Sequence, residues 1–536
     1  WMNKRFYITT AIDYVNGQPH LGHAYEKVLA DVIARSRRAL GEEVFFLTGL
    51  DEHGQKVQQA ALAEGKSAQA YCDELAASWQ AFVTKLGLTN DDFVRTTSAR
   101  HKEVVQAILT KLHGEGQFYQ ASTEGFYSTK EETFVTEKER LPDGTFPPHY
   151  GEVVKLSETN WYFKLGAHQQ WLIDHIEANP AFIQPDYRRN EVLGFLKNNT
   201  LEDLCISRPA ARLTWGIPIP FDPAYVTYVW FDALVNYISV PAALGDAGVG
   251  LGSGVSGLGT EASLCPPQTP DARPHPPLSL WPADAHVIGK DIIKFHAVYW
   301  PIMLKAMGLP LPKQLLVHGW WQKDGAKMSK STGNVVDPVA VIDDWGLDAF
   351  RYYVVRELDI GPDGNWTDAT FAARYGAELA NGLGNLVNRS LSMLKRYRNG
   401  VVPARHDELA AEANQFAQAA VAALRESHLQ TALVETWKLV TRANQYVDQT
   451  APFKLAKDPA QSARLDEVLY NLVETCRVLA VLLHPFIPGT AAKIYAQLNL
   501  PAAPDKLALA AWGGLTPGHN IGEPAALFPR RDAPKA

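Results

Sequence analysis

The stretch Phe6-Tyr7-Ile8-Thr9-Thr10-Ala11-Ile12-Asp13-Tyr14-Val15 is followed directly by Asn16-Gly17-Gln18-Pro19-His20-Leu21-Gly22-His23. The first ten residues predict a buried strand, which the turn residues after them end. From His20 to Leu40 apolar residues recur at helical spacing, and residues 44–49 predict a second strand. A strand, a helix and a strand in this order indicate a parallel βαβ unit, whose ligands bind at the carboxyl ends of its strands.

Length and composition indicate a globular protein of several domains. The 536 residues leave room for about three or four domains, and 46% hydrophobic with 20% charged residues exclude a disordered chain. The net charge of −7 gives no overall attraction to nucleic acid, so any such contact has to be local. No apolar run is long enough to span a membrane and the first residues lack a signal core, which predicts a cytoplasmic protein.

The rest of the chain predicts an interrupted parallel sheet followed by helices. Short aromatic runs between residues 116 and 165 suggest hairpins of an inserted module. The parallel sheet is expected to return at Tyr225–Trp230 and His286–Gly289, with Leu315–Val317 as a later strand. The predicted domains are a Rossmann-type catalytic domain at 1–115 and 225–322, an inserted connective module at 116–224, a lysine loop and linker at 323–365, and an all-helical bundle at 366–536. The second catalytic half includes the Gly- and Pro-rich loop 245–282, which we interpret as an insertion rather than a functional segment.

Two motifs point to a polyphosphate. His20-Leu21-Gly22-His23 begins the first predicted helix, and a helix start binds phosphate through its unpaired N–H groups and its dipole. Lys327-Met328-Ser329-Lys330-Ser331 places two lysines three residues apart, which suits a mobile clamp on a leaving pyrophosphate. Alone, the first motif is typical of a helix cap and the second of a solvated turn. Together they form the two sides needed to hold ATP.

These motifs resemble the two signatures of class I aminoacyl-tRNA synthetases. Over residues 4–500 the chain is similar to the methionyl-tRNA synthetase family. The similarity lies in the stretches Ala11–His23, Phe46-Leu47-Thr48-Gly49-Leu50-Asp51-Glu52-His53-Gly54, Tyr228–Tyr237 and His286-Val287-Ile288-Gly289-Lys290-Asp291-Ile292-Ile293-Lys294-Phe295-His296. The related leucine, isoleucine and valine enzymes carry a large editing insertion, for which the roughly 300 residues between the signatures leave no room.

The resemblance implies the roles of individual residues. It implies that Asp51 binds the ammonium group of methionine. The residues that it places around the thioether are Ile12, Tyr14, Trp230, Leu234, Tyr237, Ile292, Phe295 and His296. The catalytic residues it implies are His20, His23, Lys327 and Lys330. The ATP contacts it implies are His20, Gly22, His23, Gly289, Lys290, Asp291, Lys327, Met328, Ser329 and Lys330. Ordinary core packing is the alternative for the aromatic set. Arg208 matches a basic position near the substrate carboxylate, with a plain surface arginine as the alternative.

The implied reaction has two steps. Methionine attacks ATP, held as its Mg²⁺ complex, to give methionyl-adenylate and pyrophosphate, and the methionyl group then passes to the terminal ribose of tRNA(Met). The implied anticodon contacts are Asn385 and Arg389, four residues apart on one helix face, and Phe453, which replaces the stacking tryptophan of many relatives. Around them, residues 375–400 carry four basic residues and one acidic residue, a local charge of +3.

Two features depart from many relatives. The connective module has Ser128, Lys130 and Glu131 in its knuckle region and no cysteine pair, so we predict no structural zinc. The alternative is an oxygen and histidine site that uses Glu131 or His149. The chain ends soon after the bundle, without the β-barrel through which some relatives dimerise, so a monomer is expected.

Two other classes of protein remain open. One is a tRNA-binding paralogue without catalysis, against which the complete lysine motif and Asp51 count. The other is a small nucleotidyltransferase with a similar His-Gly-His helix start, which would not need the long helical region.

Overall fold

The computed structural model describes residues 4–15, 17–129, 133–246, 249, 279–328 and 333–531. Its strands are β1 (Arg5–Thr10), β2 (Asp13–Tyr14), β3 (Glu43–Asp51), β4 (Asp92–Arg95), β5 (Phe118–Ser128), β6 (Thr133–Val135), β7 (Val153–Phe163), β8 (Ile183–Gln184), β9 (Leu204–Cys205), β10 (Ser207–Pro209), β11 (Tyr225–Thr227), β12 (Ala285–Gly289), β13 (Leu315–His318), β14 (Trp321–Lys323), β15 (Ala326–Lys327) and β16 (Gly364–Trp366).

The helices cover most of the remaining chain. They are α1 (Leu21–Ala39), α2 (Gln55–Ala63), α3 (Ala68–Lys85), α4 (Ala99–Gly114), α5 (Gln169–Ala178), α6 (Asp186–Asn198), α7 (Val229–Leu234), α8 (Asn236–Ala243), α9 (Trp300–Met307), α10 (Pro338–Trp345), α11 (Leu347–Glu357), α12 (Asp368–Arg374), α13 (Asn385–Arg398), α14 (Ala410–Arg425), α15 (Leu429–Thr450), α16 (Pro452–Leu455), α17 (Ser462–Leu483) and α18 (Pro488–Gln497).

A parallel sheet organises the first two thirds of the chain. Its strand order is β2-β3-β1-β12-β13-β8, and β4 also pairs with β3. The neighbours β1 and β3 are joined through α1, as the βαβ prediction required. After residue 366 the chain is largely helical, with a π-helical turn at Tyr375–Gly384 that runs into α13. The predicted fold class is therefore confirmed.

One predicted strand is wrong. Tyr225–Trp230 does not return to the parallel sheet, because β11 ends at Thr227 and pairs antiparallel with β10. The chain then enters α7, which buries Phe231, Ala233 and Leu234. A short run of apolar and β-branched residues suits a strand or a buried helix equally, and here it is divided between the two.

Residues 116–224 contain a small antiparallel sheet of order β6-β5-β7-β9. The same range also supplies β8, which pairs with β13 at the edge of the parallel sheet. Near the far end of the small sheet, the Arg140 guanidinium lies 4.5 Å from the ring centre of Phe126 and 5.2 Å from that of Phe146. This packing holds the connection between β6 and β7 against β5.

Helix α1 is shared by the parallel sheet and the helical bundle. One buried cluster joins Val28 and Val32 of α1 with Leu433 of α15 and Leu472 of α17. The first turn of α1 therefore lies at the end of the sheet, while its later turns form part of the core that holds the bundle.

A buried ion pair fixes this junction. Asp31 of α1 and Arg351 of α11 are both fully buried, and their Oδ2 and Nη2 atoms are 2.7 Å apart. Arg351 also donates from Nε to the Phe486 carbonyl (2.8 Å) and from Nη1 to the Leu86 carbonyl (3.1 Å). Burial by itself raises the pKa of Asp31, but Arg351 and Arg35 outweigh it and hold that pKa well below its usual value.

Replacing Arg351 should destabilise the whole chain. In Arg351→Met the Asp31 carboxylate stays buried with one cation fewer, and we expect the free energy of unfolding to fall by about 3–5 kcal/mol. Denaturant unfolding at neutral pH measures it. The matched control is Arg405→Met, which removes the exposed Arg405–Asp407 pair and should cost less than about 1 kcal/mol. Equal losses in the two variants would contradict the importance of the buried pair.

Candidate active site

One large cavity lies at the carboxyl ends of the parallel strands. It has a volume of about 1120 Å³ and is bounded by the ends of β2, β3 and β12, the start of α1, and α7 and α8. The cavity brings together every described residue that the sequence analysis assigned to ATP or methionine: Ile12, Tyr14, His20, Gly22, His23, Asp51, Trp230, Leu234, Tyr237, Gly289, Lys290, Asp291, Ile292, Phe295, His296, Lys327 and Met328. Ser329 and Lys330 lie outside the described residues.

The histidines of the first motif cap their own helix. His20 is the N-cap of α1, and its Nδ1 accepts a hydrogen bond from the backbone N–H of Gly22 at 3.1 Å. His23 closes the cap in return, because its Nδ1 accepts from the backbone N–H of His20 at 3.2 Å. A ring nitrogen that accepts carries no proton, so both imidazoles are neutral and have their N–H on Nε2. The ring centroids lie 3.7 Å apart, with the ring planes tilted by 31°.

The opposite wall of the cavity is aromatic. The rings of Trp230 and Phe295 stack face to face, with centroids 3.5 Å apart and planes 5° from parallel. Beside them, Tyr237 is 1% exposed and its hydroxyl lies 2.6 Å from Nε2 of His296. Asp51 is 7% exposed at the end of β3. The wall thus combines flat apolar surface with one buried carboxylate, which matches an apolar side chain that carries an ammonium group.

His296 is held neutral in this wall. Its Nδ1 lies 3.0 Å from the Ile292 carbonyl, so Nδ1 carries the proton and Nε2 accepts from the Tyr237 hydroxyl. Burial lowers the pKa of His296 to about 4. Both ring nitrogens are therefore used by the protein, and His296 offers a neutral ring edge rather than a charge to its surroundings.

The third side of the cavity gathers charged residues around an indole. Trp320 is 37% exposed, and the ammonium groups of Lys290 and Lys327 lie 4.3 and 4.8 Å from its ring. Its Nε1 donates to Asp291 Oδ1 at 3.2 Å, and Lys290 pairs with Asp363 at 2.7 Å. These contacts hold the groups assigned to the nucleoside and the phosphates next to one another.

Gly289 has a steric role at the end of β12. A Cβ at this position would lie 2.5 Å from Asp291 Oδ1, which is closer than any side chain tolerates. A larger residue at position 289 would therefore displace the Asp291 carboxylate, which glycine leaves in place.

Sequence reasoning missed several residues of the cavity. Glu26 lines it and its Oε2 lies 3.0 Å from Nε2 of His318, a partner that raises the pKa of His318 although burial alone lowers it. Asp13 also lines the cavity and pairs with the fully buried Lys27. Glu26 and Lys27 follow His23 by three and four residues, so helical spacing already placed them on its face of α1. No motif or spacing in the sequence pointed to Trp320, and only its contacts place it in the site.

Arg208 does not lie in this cavity. It is 6% exposed, so the alternative of a plain surface arginine is wrong. Its guanidinium lies 4.4 Å from the ring of Tyr228 and donates to the Ser207 carbonyl at 2.8 Å. Because Tyr228 itself lines the cavity, Arg208 lies one residue behind its wall.

The implied anticodon residues lie in the helical part. Asn385 and Arg389 are on α13, and Arg389 Nη2 is 3.8 Å from Asp448 Oδ1 near the end of α15. Phe453 on α16 is 44% exposed, as a stacking residue has to be. Two neighbouring cations are already paired: Lys395 with Glu523 and Arg398 with Asp466. The local positive charge is therefore smaller than the sequence count suggested.

No three His, Cys, Asp or Glu side chains among the described residues are grouped so that they could hold a metal ion. Glu131 lies outside these residues, and His149 lines the active-site cavity. The absence of structural zinc stays a prediction. Among the residues that the structure describes, no helix is both long and apolar enough to cross a membrane.

A helix start capped by its own histidines lies in one cavity with Lys290 and Lys327 at the carboxyl end of a parallel sheet, as expected for a class I aminoacyl-tRNA synthetase. The family described as tRNA synthetases class I (M) matches residues 6–152 and 149–391, and the anticodon binding domain of methionyl tRNA ligase matches residues 398–533. The chain belongs to the methionyl-tRNA synthetase family, which confirms the resemblance seen in the sequence.

Individual relatives agree with this assignment. The methionine–tRNA ligase of Caldanaerobacter subterraneus subsp. tengcongensis is 40% identical over 540 residues, which cover 100% of this chain and 80% of that protein. That of Bacillus subtilis is 40% identical over 555 residues, covering 99% and 78%. The structure of Mycobacterium tuberculosis methionyl-tRNA synthetase in complex with methionyl-adenylate has a TM-score of 0.85 at 36% identity and covers 98% of this chain and 100% of that one.

The neutral state of His296 leads to a pH prediction. Because the pKa of His296 is about 4, its charge should not change between about pH 6 and 8.5, so His296 should add no ionisation to the pH dependence of the KM for methionine in that range. Methionine-dependent pyrophosphate exchange at saturating ATP measures it. Folding should respond differently: the unfolded histidine binds a proton below about pH 6.5 and the folded one only below about 4, so stability falls as pH drops through this interval. An ionisation near pH 6.5 in this KM that disappears in His296→Asn would contradict the assignment, because it would belong to His296 and not to His318.

Proposed function

We propose that this chain is a methionine–tRNA ligase that activates methionine with ATP and transfers it to tRNA(Met). The observation that carries the proposal is one cavity that holds an ammonium anchor, an aromatic wall and a histidine-capped helix start together. The similarity to methionine–tRNA ligases over the full chain, and to a solved relative that holds methionyl-adenylate, supports it.

The first step is phosphoryl chemistry that depends on position and charge. A methionine carboxylate oxygen attacks the α-phosphorus of ATP, the bond to the β-phosphate oxygen breaks, and pyrophosphate leaves. ATP enters as its Mg²⁺ complex. His20 and His23 donate their Nε2–H groups to phosphate oxygens, and Lys327 and Lys330 neutralise the charge that develops on the leaving group.

Methionine is selected by fit more than by hydrogen bonds. Its sulfur accepts hydrogen bonds only weakly, so the stacked Trp230 and Phe295 rings and the Tyr237–His296 pair recognise it through contact area and polarisability. Asp51 binds the ammonium and so fixes which end of the substrate faces ATP. Because His296 is neutral and both of its ring nitrogens are already bonded, it offers no charge to pair with a charged substrate side chain.

The second step transfers the acyl group. The ribose hydroxyl of the tRNA terminus, the 2′-hydroxyl in this class, attacks the carbonyl carbon of methionyl-adenylate. The bond from that carbon to the phosphate oxygen breaks, AMP leaves, and the hydroxyl loses its proton. The same cavity serves both steps, since the adenylate keeps the positions of methionine and the nucleoside.

The helical part is proposed to read the anticodon. Asn385 and Arg389 offer hydrogen bonds on one face of α13, and the exposed Phe453 offers a ring on which an unpaired base can stack. Asp448 contacts Arg389 in the absence of RNA and keeps its guanidinium near the end of α15. A monomer in the cytoplasm, where tRNA is charged for protein synthesis, completes the proposal.

Amino-acid-dependent ATP–pyrophosphate exchange, measured with each of the twenty amino acids and without tRNA, tests the function. Exchange with methionine alone is expected. Lys330→Ala serves as the impaired reference: it should slow exchange by orders of magnitude and leave methionine affinity unchanged, because this lysine acts mainly in the transition state. A protein that binds tRNA and shows no exchange with any amino acid would be the noncatalytic paralogue.

The anticodon assignment predicts a separation of the two activities. Arg389→Ala should raise the KM for tRNA(Met) in aminoacylation by about tenfold, since one charged hydrogen bond to RNA is lost, while exchange without tRNA stays unchanged. Lys438→Ala, which removes an exposed lysine of α15 paired with Glu435, is the control and should affect neither. If both activities of Arg389→Ala fell together, Arg389 would have a structural role instead.

A further inference from the structure

A buried ion pair of unassigned role forms part of the cavity wall. Asp13 of β2 pairs through Oδ2 with the ammonium of Lys27 on α1, and their side chains are 5% and 0% exposed. Of the two residues, Asp13 lines the cavity while Lys27 lies behind it. The pair joins the strand that carries Tyr14 to the helix that carries His20 and His23.

Stability does not explain this pair. Removing two charges from water costs free energy that their attraction only partly returns, and a well-packed apolar pair would serve the fold equally well. The cost is visible at Asp13, where burial outweighs the adjacent Lys27 and raises the pKa to about 6. Another role is therefore needed for two charges in this position.

The position of His23 supplies that role. Its Nδ1 accepts from the His20 backbone, which leaves the proton on Nε2, and Nε2 lies 3.9 Å from Asp13 Oδ1. On its other side the His23 ring meets Trp79 edge to face at 4.9 Å. At 3.9 Å the carboxylate is too far away to accept this N–H as a hydrogen bond, but its charge favours the form of the ring that has the proton on Nε2, which is the form the proposed reaction needs.

We propose that Asp13 and Lys27 are positioning residues for ATP activation: Asp13 orients the Nε2–H of His23, and Lys27 cancels the charge of Asp13 so that the triphosphate can approach. The inference rests on the proposed function and adds two residues to it. Neither residue touches a reacting atom. An unpaired carboxylate in this wall would repel ATP and would leave methionine binding largely unaffected.

The groups that face Asp13 determine its response to pH. Lys27, Glu26 and His23 face it from α1, and Tyr237 faces it from α8. In Lys27→Met the carboxylate loses its cation, so ATP binding should suffer where Asp13 is ionised and recover where it is protonated.

Steady-state pyrophosphate exchange with Lys27→Met tests the pair. We expect the KM for ATP to rise by about tenfold or more at alkaline pH and to return towards the wild-type value as pH falls and Asp13 takes up a proton, while the KM for methionine changes less than about twofold. Because Lys27 lowers the pKa of Asp13 in the wild type, this recovery should begin above about pH 6 in the variant. A purely structural loss cannot produce this split between substrates together with its recovery in acid.

The double variant Asp13→Asn/Lys27→Met removes both charges and keeps the volume. Its KM for ATP should lie near the wild-type value at about pH 8 with no recovery in acid, and its kcat should fall by about tenfold because His23 loses its orienting charge. If Lys27→Met folds poorly, the double variant can still be measured, because it leaves no unpaired buried charge.

The matched control is Arg477→Met, which removes a buried cation from its pair with Glu474, far from the cavity. A rise of both KM values in Lys27→Met that does not depend on pH would overturn the proposal. So would an acid recovery that persists in the double variant, because it would belong to another group. If the wild-type protein showed no methionine-dependent exchange, that result would instead contradict the proposed function.

Discussion

The buried contact between Asp31 and Arg351 fixes the helix on which the rest of the structure depends. Arg351 binds the carboxylate of α1 and, at the same time, the carbonyls of Leu86 and Phe486, which come from distant parts of the chain. Helix α1 is therefore held at its middle by the bundle and at its start by its own histidine cap. A shift of α1 along its axis would disturb both the domain junction and the phosphate-facing turn.

The cavity works because each wall is assembled from a different element and held by contacts behind it. The aromatic wall relies on the Tyr237–His296 hydrogen bond, and the charged side relies on the Trp320 indole between two ammonium groups. Both arrangements are made by contacts among the protein's own side chains. The protein has paid the entropy of ordering these side chains in folding, which lowers what binding has to supply.

Much of this site could be predicted from the sequence. The helix after the first strand begins and ends within one residue of its predicted bounds, because turn residues and apolar spacing mark both ends. The motif residues of the cavity came from resemblance, and the structure brings the described ones together. Tyr225–Trp230 failed as a strand of the parallel sheet, because a short apolar run does not reveal which neighbour it pairs with.

Other features could not be read from sequence for a physical reason. The Asp13–Lys27 pair and the position of Trp320 depend on how a strand, a helix and a loop approach one another, and spacing along one element does not contain that information. The same is true of the acidic partners of Lys395 and Arg398, which lie more than sixty residues away in the chain and reduce the charge that the local count suggested.

The cap of α1 has an evolutionary consequence. His20 uses one ring nitrogen to hold the helix start and the other to face the cavity, so its two roles are chemically separable. Asparagine can cap a helix as well as histidine does here, yet its shorter side chain offers no group in place of Nε2. In the proposed reaction His20 contacts phosphate, so a single substitution would remove that contact and keep the helix start capped, which gives a duplicated gene a short path to a new role.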